Sequence, residues 1–124
     1  MRVGVFGPRD YPRGKKYTNY NHVADKIATY DATCITSGGG IGVEQLALRF
    51  AEENGIQSKV VPPHIQALGT KVAFEKRNEE IARQIEIAVV FWDGKEKYYA
   101  ELIGKLIGMG VDVHVYNMGT PASQ

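Results

Sequence analysis

The chain has 124 residues, 44% hydrophobic and 23% charged, with a formal net charge of +1 and one cysteine, Cys34. Those figures fit one ordinary globular domain; they exclude an intrachain disulfide and give no overall pull toward nucleic acid or a membrane surface. No stretch approaches the ~18 apolar residues of a membrane span, and the apolar run at Val3–Phe6 is too short for a signal peptide, so a cytoplasmic location is expected.

Val3-Gly4-Val5-Phe6 reads as a short strand ending at Gly7-Pro8. A loop rich in Pro, Gly and charge follows over 8–18, then a helix over 19–30 with Val23, Ile27 and Ala28 near a 3.6 period. Residues 33–36 form a second strand, and a helix over 42–54 carries Val43, Leu46, Ala47, Phe50 and Ala51 on one face before Gly55. Lys59-Val60-Val61 is a third strand, closed by Pro62-Pro63. Residues 64–70 read as a loop and 71–84 as a heavily charged helix. Ile87–Trp92 is continuously apolar, as for a central strand covered on both faces. A last helix over 96–109 and an edge strand over 111–116 complete the pattern, with 118–124 expected as a mobile tail. Five strands alternating with four helices predict a single α/β domain over 1–117. Its parallel sheet is doubly wound and Rossmann-like in the order 3-2-1-4-5, with helices on both faces.

In such a sheet ligands bind beyond the carboxyl ends of the strands, where the strand order reverses. Three loops converge there. Gly7, Pro8 and Arg9 follow the first strand, and Trp92, Asp93, Gly94 and Lys95 follow the fourth. Between them comes Ser37-Gly38-Gly39-Gly40-Ile41-Gly42-Val43-Glu44, with four glycines in five positions. Glycine lets the backbone turn and approach closely, and the next helix presents N–H groups and a positive dipole end, so an anion site is expected. Ser37 reads as a phosphate donor rather than a nucleophile. A tight turn without ligand is the alternative. Arg9, Arg13, Lys15 and Lys16, with Tyr11 and Tyr17, either neutralise phosphates and stack on a base or form a solubilising loop. No Walker loop and no dinucleotide fingerprint in the first turn is present. The scattered His22, His64 and His114 suggest no metal site, and no cofactor is expected. Arg77 and Asn78 either reach into the cleft as phosphate or ribose contacts or lie on a solvated helix face, and spacing alone favours the solvated face.

The first-loop Gly-Pro-Arg-Asp, the Ser37–Glu44 turn, Phe74-Glu75-Lys76-Arg77-Asn78 and Val90-Phe91-Trp92-Asp93-Gly94 together resemble the SLOG superfamily, nearest its small stand-alone YspA-like branch. The resemblance covers residues 2–116. It implies a Rossmann-like fold that binds nucleotides or ADP-ribose-like molecules. It matches Arg9, the Ser37–Glu44 turn, and the Arg77-Asn78 pair to family binding positions. The chain departs from the pattern after Gly94, where Lys95-Glu96-Lys97-Tyr98-Tyr99 replaces the family's Ser-x-Gly-Thr phosphate turn. Tyr98 or Tyr99 there either stacks on a base or blocks the pocket.

Two functions follow. One is a sensor, carrier or sequestering protein for a nucleotide-derived small molecule. The other, kept alive by the phosphoribohydrolase relatives, is an enzyme that cleaves a nucleotide N-glycosidic bond, with Glu44 and Arg77 as its catalytic pair. The near-zero charge makes single-stranded nucleic acid a weaker third partner. Tyr99, Leu102, Ile103, Leu106, Ile107 and Met109 are broad for one buried face, and Gly104 and Gly108 permit close approach, so a homo-oligomer, such as a dimer through the last helix, is expected.

Overall fold

A computed structural model describes residues 1–9 and 19–117. Five strands, β1 (Arg2–Phe6), β2 (Cys34–Ser37), β3 (Gln57–Val60), β4 (Ile87–Trp92) and β5 (Asp112–Asn117), form one sheet in the order β3-β2-β1-β4-β5. All four pairings are parallel, and β1 lies between β2 and β4, with Val3 opposite both Ile35 and Ile87. The predicted Rossmann-like architecture and strand order are therefore present.

Each strand contributes to two cores because successive side chains point to opposite faces. Ile87, Val89 and Phe91 of β4 join Val3, Val5 and Ile35 under helices α1 (Tyr20–Ile27) and α2 (Val43–Glu53). Ala88 and Val90 join Phe6 on the opposite face, under α4 (Thr70–Ala82) and α5 (Lys97–Gly108) through Ile81, Leu102 and Leu106. That two-sided burial explains the unbroken apolar run in β4.

Three details differ from the expected elements. The first helix ends at Ile27 and tightens into a 3-10 turn over Ala28–Tyr30, with Asp31 in the left-handed region at φ 52°. The segment read as a loop contains one helical turn, α3 (Ile65–Leu68), whose Ile65 and Leu68 are exposed. A lone turn without a buried face leaves no periodicity to read. The third deviation concerns function. Ala73, Arg77 and Ile81, spaced by four residues, form the buried stripe of α4, so Arg77 lies inward rather than on a solvated face. β5 is an edge strand as expected. Residues 10–18, with Tyr11, Arg13, Lys15, Lys16 and Tyr17, and the tail 118–124 lie outside the described residues. Among the described residues no helix is long and apolar enough to cross a membrane.

Candidate functional site

The loops after β1 and β2 are locked together by close backbone approach. Gly42 adopts φ 97°, and a Cβ there would lie 2.5 Å from Arg9 Cα and carbonyl oxygen and 2.6 Å from the Pro8 carbonyl oxygen. The Val43 N–H donates to that Pro8 oxygen at 3.1 Å. A Cβ on Gly7 would lie 2.6 Å from Val43 Cγ1. On the opposite side of the turn, a Cβ on Gly38 would overlap the Arg77 guanidinium. Much of the glycine content thus serves contacts within the protein, and side chains from three different elements press on the turn.

The Gly39 and Gly40 donors of the turn also have internal acceptors. The Gly39 N–H donates to Ser37 Oγ at 3.1 Å, and Ser37 Oγ donates to the Glu44 carbonyl oxygen at 3.2 Å. The Gly40 N–H donates to Glu44 Oε1 at 3.0 Å, and the Gly7 N–H also reaches the Glu44 carboxylate. An anion does occupy the expected cradle, but it is the first-turn carboxylate of α2 itself, favourably placed at the positive end of the helix. Arg77 Nη1 lies 3.5 Å from Glu44 Oε1, and both side chains are nearly inaccessible. Burial raises the Glu44 pKa above the usual carboxylate value, against the opposing pull of Arg77 and the two backbone donors. Here desolvation outweighs pairing.

Arg77 is fixed on its other sides. Its guanidinium stands 4.7 Å from the Phe74 ring centroid. Nε and Nη2 both donate to Asn78 Oδ1, at 3.2 and 3.0 Å. The Tyr98 hydroxyl accepts from Asn78 Nδ2 at 2.9 Å and from Arg77 Nη2 at 3.4 Å. Tyr98 itself is 37% exposed and meets Tyr99 edge-on at 4.9 Å. Buried Tyr99 has its pKa raised, by desolvation first and by the nearby Glu44 charge second.

A cleft of about 440 Å³ opens above this cluster. Of the expected site residues, Gly7, Pro8, Arg9, Gly40, Glu44 and Arg77 line it. Ser37, Gly38, Gly39, Gly42 and Val43 build the turn beneath it without lining it. Asn78 lies one step away, held through Arg77 and Tyr98. The fourth-strand loop is spent on starting α5. The Trp92 indole N–H donates to the Glu96 carbonyl oxygen at 2.9 Å, and Asp93 Oδ1 accepts from the Lys95 and Glu96 N–H groups at 2.8 and 2.9 Å. Trp92, Asp93, Gly94 and Lys95 are not among the residues that line the cleft. Phe74, Glu96, Tyr98 and Tyr99 do line it. Phase along α4 signals Phe74, which precedes Arg77 by one turn; no sequence pattern marks Glu96.

Among the described residues no group of three or more His, Cys, Asp or Glu is placed to hold a metal ion. The site's chemistry is that of two arginines, a buried carboxylate and two phenols around a partly apolar cleft. A scan of family models, a search of curated proteins and a search of solved structures each returned no match to this chain.

Proposed function

We propose that this cleft binds a nucleotide or an ADP-ribose-like small molecule, with the protein acting as a sensor, carrier or sequestering agent. The observation that carries the reading is the buried Arg77–Asn78 pair at the switch point of the sheet, joined to the cleft through Glu44 and Tyr98. With Nε and Nη2 bonded to Asn78 and Tyr98 and Nη1 facing Glu44, Arg77 brings positive charge to the cleft rather than a free pair of donors. Arg9 adds a second cation at the rim. The Glu44 carboxylate, held by backbone donors, is a ready acceptor for ribose hydroxyls. The resemblance to the SLOG superfamily supports the same class of ligand. Native mass spectrometry of protein purified from cells tests this: a retained mass in the nucleotide range, lost in Arg9→Ala, is the expected result. Protein that carries no such mass, and that acquires none from added AMP, NAD or ADP-ribose, contradicts it.

A second reading, cleavage of an N-glycosidic bond, is favoured by one observation. Glu44 is a buried carboxylate with a raised pKa that opens on the cleft beside a cation. Such a group can stabilise an oxocarbenium-like transition state. Chromatographic detection of free base after incubation with AMP, NAD and ADP-ribose separates this from binding alone. Release that disappears in Glu44→Gln supports catalysis, and none at high protein concentration removes it.

We further propose a homo-oligomer formed through α5. Ile107 is 60% exposed, and a Cβ at Gly104 or Gly108 would meet nothing within 4 Å, so packing within the chain does not require glycine there. Light scattering on wild type and Ile107→Glu tests it: an assembly that dissociates in the variant is expected, and a monomeric wild type rules it out.

A further inference from the structure

A second cavity, of about 400 Å³, lies between α4 and α5. Its walls include Phe74, Asn78, Tyr98 and Leu102, and Lys71 and Lys105 stand at its edges. Phe74 and Tyr98 also line the cleft, so the two cavities share a wall. The consecutive residues Arg77 and Asn78 divide between them, Arg77 lining the cleft and Asn78 the groove. The Tyr98 hydroxyl, bonded to both, marks the boundary.

The two cavities differ in chemistry. The cleft gathers Arg9, Arg77, Glu44 and Glu96; in the groove the more buried lining is Phe74, Leu102 and the Asn78 amide, and the charged Lys71, Glu75, Glu101 and Lys105 are exposed. Asn78 Nδ2 carries two hydrogens and gives one to Tyr98, which leaves a donor for a ring nitrogen or carbonyl. Aromatic walls with a single amide suit a flat heterocycle, which stacks on its faces and is read at its edge. Each cavity alone reaches only the lower part of the roughly 300–1,000 Å³ range of small-molecule sites.

We propose that the groove between α4 and α5 is a subsite for the aromatic base of the ligand whose charged end lies in the cleft, with Tyr98 as the partition the ligand crosses. This rests on the cleft binding a nucleotide-type molecule. It also assigns Asn78 to the base rather than to phosphate or ribose. The sugar then spans the boundary near Tyr98, and Lys71, Glu75, Glu101 and Lys105 flank the base, with Lys105 Nζ bonded to Glu79 at 2.6 Å.

The test compares AMP with ribose 5-phosphate by NMR titration on wild type and two groove-filling variants. Glu101→Trp fills the groove from α5 and Thr70→Phe from α4; both positions are exposed, line the groove and lie outside the cleft. In wild type, AMP is expected to bind about tenfold or more tighter than ribose 5-phosphate. In both variants that ratio falls to near one while ribose 5-phosphate affinity is unchanged. A ratio that survives in both variants overturns the groove assignment and leaves the cleft reading standing. Equal weakening of both ligands overturns it too. If neither compound binds wild type, the groove assignment is overturned, and the cleft reading then fails only if NAD and ADP-ribose do not bind either.

Discussion

Replacing Arg77 by Met removes the charge while keeping an apolar stem against Phe74, and leaves Glu44 buried without its cation. Both partners are almost fully inaccessible, at 4% and 8% side-chain exposure and 3.5 Å separation, so water cannot substitute for the lost charge. Breaking such a pair from one side costs about 3–5 kcal/mol. A chain of this length has roughly 6–19 kcal/mol in total, so the variant still folds. Urea unfolding of wild type, Arg77→Met, Glu44→Gln and the double variant measures the effect. The double variant is expected to lose less than the sum of the singles, by about 1–3 kcal/mol, because neither charge is then stranded. The pH dependence has a definite sign. The folded pKa of Glu44 is raised above its unfolded value, so its favourable contribution is complete below pH ~4.5 and declines as pH rises through the folded value. Without Arg77 that pKa climbs further, and Arg77→Met should recover stability relative to wild type as pH falls from 7 toward 5. A cost under about 1 kcal/mol, additive singles, or a deficit that grows on acidification would refute the picture of a buried, charge-compensated carboxylate.

Gly42→Ala and Gly110→Ala separate backbone strain from collision. Both positions have positive φ, but a Cβ at Gly110 meets nothing within 4 Å whereas one at Gly42 strikes the Pro8–Arg9 backbone. Gly110→Ala is expected to cost about 1–2 kcal/mol and Gly42→Ala clearly more in chemical denaturation; equal costs would contradict the close packing of the two loops. Asp93→Ala should lose about 1 kcal/mol, because Oδ1 satisfies two N–H groups at the start of α5. If Asp93→Ala instead leaves stability unchanged but abolishes ligand binding, Asp93 belongs to the site after all.

The strands and their order were readable because β4 is apolar at every position and each helix pattern follows a strand. The boundaries shifted by a residue or two, as caps and fraying dictate. The glycine cluster correctly marked a place of close backbone approach, but not what approaches. Sequence shows that Gly38 lacks a side chain, not that the Arg77 guanidinium, from a helix some forty residues on, fills the space. Arg77 and Asn78 read as solvated on spacing because charged residues seldom lie on a buried stripe. The resemblance tipped the reading of both toward the cleft. Tyr98 stood out as an anomaly where a glycine-threonine turn was expected. Its role as acceptor for both Arg77 and Asn78 depends on α4 and α5 being neighbours, which no local pattern encodes.

NMR titration of isotope-labelled protein with AMP, NAD and ADP-ribose asks whether a nucleotide-type ligand sits above Arg77 and Glu44. At least one of them should shift the backbone amides of Gly7 and Gly40 and the Arg77 Nε–H, saturably and together. If all three leave those signals unmoved at millimolar concentration, or shift only residues remote from the cleft, the cleft is not a nucleotide site.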